Sequence, residues 1–209
     1  MATPFLLTVA WMWAIATISP GPNFLTIAQI AASKSRSAAI AAVCGTGVAT
    51  IIWGVCGVAG VQAIFLAAPW AYLALKLGGA AYLCYSGGRM VIRSFKHTRV
   101  FDDRPETTRG MSRRKAYAVG MATGVANPRS ALSVASVFAV AMPAQLTLGI
   151  AVAAVATMVA VSVGWYFFVA YIFTTEPMLR GYWAIGHWID RLAGGLLILV
   201  GVRLAMQGR

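Results

Sequence analysis

Acidic residues are the scarcest chemistry in this chain. Among 209 residues only Asp102, Asp103, Glu106, Glu176 and Asp190 carry a carboxylate, and charged residues of both signs make up 11 %. A soluble domain of this size could not cover its surface with so little charge. Cysteine is also sparse. Cys44, Cys56 and Cys84 each fall inside an apolar run, with no C-x-x-C pair and no histidine nearby to suggest a metal site, and read as buried free thiols. The only histidines, His97 and His187, have no metal-ligand spacing and no Ser/His/Asp or Cys/His company, so nothing argues for catalysis, a metal or a cofactor. No Lys or Arg precedes Lys34; without a charged n-region, the expectation is an uncleaved first segment.

Apolar residues fill that space, at 60 % of the chain and a mean hydropathy of +0.76. Apolar stretches of about 20 residues or more read as transmembrane helices, because roughly 30 Å of hydrocarbon is crossed at about 1.5 Å per residue. Six such stretches can be placed, at 4–31, 38–67, 70–91, 116–142, 145–173 and 188–207. The fold class is therefore all-α, a polytopic membrane protein with six transmembrane helices. The net charge of +12 is concentrated in the first, third and fifth connections, while AAPWA and MPAQ in the second and fourth carry none. Basic residues favour the cytoplasmic side, which predicts odd-numbered connections inside and both termini outside. The same cations suit anionic lipid headgroups, and their distribution argues against nucleic acid.

The chain also echoes itself. SPGPN in the first span and ANPRS in the fourth interrupt apolar runs, with Pro20 and Pro128 standing 108 residues apart. KLGGAAYL from Lys76 and RLAGGLL from Arg191 open the third span of each half. This divides the chain into a first three-span repeat at 1–97, a basic cytoplasmic loop at 98–115 and a second three-span repeat at 116–209. Three spans per half is an odd number, so the repeats would be inverted, each with a broken first helix. Transporters use such breaks to form a midplane site.

Proline supplies no N–H and biases the residue before it away from helix. Carbonyls around Ala16 to Ile18 thus lose helical partners and must be satisfied by another group. A second helix can restart with Pro22 in its first turn. Its free N–H groups from Asn23 onward then form an anion site suited to a small carboxylate. A simple kink between packed helices is the rival reading. Arg129, directly after the second break, and Lys76, several residues inside the third span, are cations where charge is costly; snorkelling is the alternative for Lys76. The candidate substrate-binding residues are Pro20, Gly21, Pro22, Asn23, Lys76, Asn127, Pro128 and Arg129. Asp190 is the one carboxylate that could couple protons, and a local pair with Arg191 is the plainer account of it. A site with cations and no carboxylate favours a neutral zwitterion or an anion over a cationic substrate.

Trp11, Trp13, Trp70, Tyr72, Tyr182, Trp183 and Trp188 cluster near span ends and read as interfacial anchors. The glycines of the second, third and sixth spans permit close helix contact, which would suit a homodimer without demanding one.

At SPGPN, the Lys76 run ending in Gly87-Gly88-Arg89, and Asn127-Pro128-Arg129, the sequence resembles the lysine exporter (LysE/RhtB) family of amino-acid efflux proteins, over nearly its whole length. The resemblance implies a secondary exporter of amino acids or close derivatives in a bacterial inner membrane, driven by the proton gradient. A passive channel for small zwitterions is the alternative. Arg129 stands where the family usually has lysine, which keeps the charge and adds a planar fork. The second span lacks the acid that some members handling basic amino acids carry there.

Overall fold

The computed structural model describes residues 2–19, 21–32, 35–67, 69–95, 111–141, 147–173 and 176–206. Of the expected elements, Pro20 and the polar loop at 98–110 lie outside these residues. The described residues form eight α-helices: α1 (Ala2–Ile18), α2 (Pro22–Ala32), α3 (Arg36–Ala67), α4 (Pro69–Phe95), α5 (Arg113–Ala126), α6 (Pro128–Ala141), α7 (Leu148–Ile172) and α8 (Glu176–Met206). The expected first and fourth spans are each split in two, at SPG and at Asn127. The last helix begins well before the expected residue 188, because nothing from Glu176 onward breaks it.

Among the described residues, two helices are long and apolar enough to cross a membrane, over Arg36–Gly60 and Leu148–Ile172. The α1–α2 pair, bent by 58° at its break, passes the same test as a unit. The chain is thus an all-helical, multi-pass membrane protein. Its exposed residues include Leu7, Ile51, Val55, Val152, Phe168 and Leu199, an apolar exterior that water would not tolerate and hydrocarbon does.

Close backbone approach organises the helices. Lipid tails are as apolar as leucine, so association rests on packing and interhelical hydrogen bonds. The α3–α5 crossing is built on Gly45 and Gly120: a Cβ on Gly45 would strike the Tyr117 carbonyl, and one on Gly120 would strike the Ala42 carbonyl. α4 meets α8 at Gly87 and Gly194 in the same way, each glycine facing the other's carbonyl. Other glycines of the same helices, Gly60, Gly78, Gly88 and Gly195, have open space where a Cβ would go. Small residues therefore serve contact at some positions only.

These contacts also fix direction. Ala42 meets Gly120 and Ala49 meets Gly124, so α3 and α5 run parallel. Gly47 faces Val163 and Gly54 faces Val155, so α3 and α7 are antiparallel. Gly79 lies against Ser136 while Met90 lies against Arg129, so α4 and α6 are antiparallel. Trp13 corrects its expected placement at an interface: it is buried and donates its indole N–H to the Ser162 hydroxyl at 2.8 Å. Trp11 and Trp188 are exposed.

Overpacking a tight contact costs about 1–3 kcal/mol. Gly120→Ala should therefore lower the unfolding temperature of the detergent-solubilised protein by several degrees. Gly60→Ala, at an open position, should leave it unchanged or raise it slightly.

Candidate functional site

Each break has the same local construction. Gly21 ends the irregular segment and its carbonyl accepts the Leu25 N–H at 3.0 Å, so Pro22 occupies the first helical position of α2, where a missing N–H costs nothing. Asn127 stands in the corresponding place before Pro128. Its backbone is extended, at φ −79 and ψ 104, and its side-chain Oδ1 accepts the Arg129 N–H at 3.0 Å. Its carbonyl accepts the Ser130 N–H at 3.0 Å. Asn127 thus caps α6 with its own side chain, leaving α6 to contribute the charge of Arg129.

The two breaks meet at one cavity with an open mouth. From the first break it is lined by Ala16, Thr17, Ser19, Gly21 and Asn23, and from the second by Gly124, Asn127, Arg129, Ser130 and Ser133. Trp13, Thr46, Thr50, Trp53, Ser162 and Tyr166 close the remaining walls. No carboxylate is among these described residues.

Arg129 links the halves. Its Nη1 lies over Gly21, 3.5 Å from where a Cβ would sit. Its Nη2 reaches the Met90 sulfur at 3.5 Å, and the Ser19 hydroxyl donates to the same sulfur at 3.5 Å. The thioether is a weak acceptor, so this contact supplies orientation and no charge.

Hydroxyls and indoles complete the wall. The Thr46 hydroxyl lies within hydrogen-bonding reach of the Ala42 carbonyl at 3.1 Å and the Gly120 carbonyl at 3.3 Å. Thr50 donates to the Thr46 carbonyl at 3.1 Å and lies 3.5 Å from the Ser162 oxygen. The Trp53 indole N–H donates to the Gly124 carbonyl at 3.1 Å. That carbonyl needs a side-chain donor, because its helical partner would be the N–H that Pro128 lacks.

Of the residues expected from sequence, Gly21, Asn23, Asn127 and Arg129 line the cavity together. Pro22 and Pro128 are exposed helix starters and do not line it. Pro20 and the Lys76 side chain lie outside the described residues. Asp190 is buried on α8 but is not part of the lining; its neighbour Arg191 donates Nε–H to the Ser94 hydroxyl at 3.2 Å and stacks over Phe95 and Trp188. Thr46, Thr50, Ser133, Ser162, Trp13, Trp53 and Tyr166 were not foreseen. Hydroxyl residues at helical spacing inside apolar spans, such as Thr46 with Thr50 and Ser130 with Ser133, were the available signal.

Trp53→Phe would leave the Gly124 carbonyl without its donor. A buried unsatisfied acceptor costs about 1–3 kcal/mol, so this variant should unfold at a lower temperature than the wild type in detergent, with its helical content unchanged by circular dichroism.

Residues 14–208 match the family described as LysE type translocator. The threonine efflux protein of Escherichia coli K12 is 30 % identical over 201 residues, covering 96 % of this chain and 97 % of the relative. The threonine efflux protein of Salmonella typhi is 28 % identical over 200 residues, with 96 % and 97 % covered. A protein of Haemophilus influenzae described as an uncharacterized membrane protein is 24 % identical over 193 residues, covering 91 % of each. No solved structure matches the chain.

Proposed function

Because this chain belongs to the LysE-type translocator family, and is a membrane transporter rather than an enzyme, we propose that it exports a small neutral amino acid or close derivative across a bacterial inner membrane by alternating access. The observation that carries this reading is the convergence of both helix breaks on one polar cavity with Arg129 in its wall. Arg129 and the first N–H groups of α2 would take the substrate carboxylate, since a helix N-terminus and a guanidinium both favour an anion. Asn127 would act by fixing the start of α6. The absence of a carboxylate among the described lining residues disfavours a cationic side chain. Relatives named for threonine efflux fit a small neutral substrate.

We read the eight helices as six spans in two inverted repeats, with α1–α2 and α5–α6 each a broken span. Several features support this. A pseudo-twofold that exchanges α1 with α5, α2 with α6, α3 with α7 and α4 with α8 turns the α3–α5 contact into α7–α1, α3–α6 into α7–α2, and α1–α6 into α5–α2; each of these pairs is in contact. The α3–α7 and α4–α8 contacts map onto themselves. The helix directions found above agree with six alternating spans, and α4 running against α6 while α3 runs with α5 suits α5 and α6 crossing as one. The positive-inside pattern then puts both termini outside and the basic loop against the cytoplasmic leaflet.

Proton coupling through Asp190 is the second part of the proposal, supported by its burial within α8. Lys76 stays a candidate for the site.

Right-side-out vesicles or cells challenged with an amino-acid panel test this. Arg129→Gln should reduce export at least tenfold with the protein still at wild-type level in the membrane, while Arg129→Lys retains part of it. Normal export by Arg129→Gln would remove the site. Collapsing the proton gradient should stop uphill export in the wild type, and Asp190→Asn should export only down the substrate gradient; if the wild type itself moves substrate only down its gradient, with or without a proton gradient, a passive facilitator is the better reading.

A further inference from the structure

The two breaks share one covalent defect but resolve it differently. In an α-helix each carbonyl takes the N–H of the residue four positions on. Pro20 removes that donor from Ala16, and Pro128 removes it from Gly124. The two carbonyls hold the same position relative to their breaks, and both residues line the cavity. At the second break the loss is made good: the Gly124 carbonyl accepts the Trp53 indole N–H.

At the first break no such donor is found for the Ala16 carbonyl among the described residues. The Ser19 N–H goes to Ile15 at 3.4 Å instead. Across the same break, the Asn23 amide oxygen is buried and has no hydrogen-bond partner. Two acceptors for which no donor is found among the described residues thus flank one break, and the Arg129 guanidinium reaches over Gly21 from the other break.

We propose that the Ala16 carbonyl and the Asn23 amide oxygen form a subsite for the α-ammonium group of the substrate, taking the place that Trp53 holds at the second break. This rests on the reading that the cavity carries amino acids. An ammonium brings several N–H donors and a positive charge; the charge is favoured at the C-terminal end of α1, and one donor satisfies the buried Asn23 oxygen, which is otherwise costly to leave unpaired. The ammonium and carboxylate of an α-amino acid leave the same carbon, so they need opposite partial charges close together. A broken helix supplies them, with the C-terminus of α1 at Ile18 and the N-terminus of α2 at Pro22. The substrate class is therefore free α-amino acids, and 2-hydroxy acids and N-acylated derivatives are excluded. A site built to hydrogen-bond a polar group rejects analogues that lack it strongly.

The test uses the full chain in liposomes loaded with the labelled amino acid that the panel identifies as exported. Inhibition is compared between 2-aminobutanoate and 2-hydroxybutanoate, which differ only at the ammonium. The wild type should prefer the amino compound at least tenfold. Pro20→Ala restores an N–H for Ala16, and Asn23→Leu removes the amide oxygen; each should cut that preference fivefold or more by weakening the amino compound alone. Arg129→Gln should weaken both compounds by similar factors. If the preference in both Pro20→Ala and Asn23→Leu stays within twofold of wild type, the subsite is overturned while transport stands. Wild-type liposomes that move no amino acid would overturn the transport reading itself.

Discussion

Hydrocarbon offers a backbone carbonyl nothing to bond, and that constraint governs the rest of this structure. A helix satisfies its own carbonyls as long as each has an N–H four residues on. Pro20 and Pro128 withdraw those donors in mid-membrane sequence, so other groups must converge there. The Trp53 indole, the Thr46 hydroxyl and the Asn127 side chain are what converges on the second break. A polar cavity follows from this requirement, because groups able to serve a broken helix are also able to serve a polar solute.

The close helix crossings serve the same end. Thr46 and Trp53 can reach α5 because Gly45 and Gly120 let α3 and α5 touch backbone to backbone. A larger residue at either glycine would push the crossing apart and withdraw the donors from the carbonyls they cap. Packing and polar satisfaction are thus coupled at one crossing. Arg129 depends on a different contact. Met90 on α4 brings a neutral acceptor to its guanidinium and to the Ser19 hydroxyl, which ties the two breaks together through a third element.

Much of the fold was legible because the signals were covalent or repeated. Proline cannot donate, so both breaks could be located from the prolines alone. Long apolar runs marked the helices to within a few residues, apart from the early start of α8. Trp13 was misplaced for an instructive reason: an aromatic near a span end suits an interface, and only its distant partner Ser162 makes it a buried cavity wall. The hydroxyl residues of the wall were passed over because a serine or threonine inside a helix can bond its own backbone, as Ser136 does with the Leu132 carbonyl, and local sequence does not separate the two roles.

The sequence by itself determined the membrane environment, the two breaks and the presence of Arg129 beside one of them, since each follows from composition or from the missing N–H of proline. The tertiary structure decided that the breaks share a cavity, that Asn127 turns its side chain onto α6, and that Gly124 has a donor where none is found for Ala16 among the described residues. Those outcomes depend on residues as far apart as Thr17 and Ser162, and no local pattern encodes a meeting between helices that lie more than a hundred positions apart.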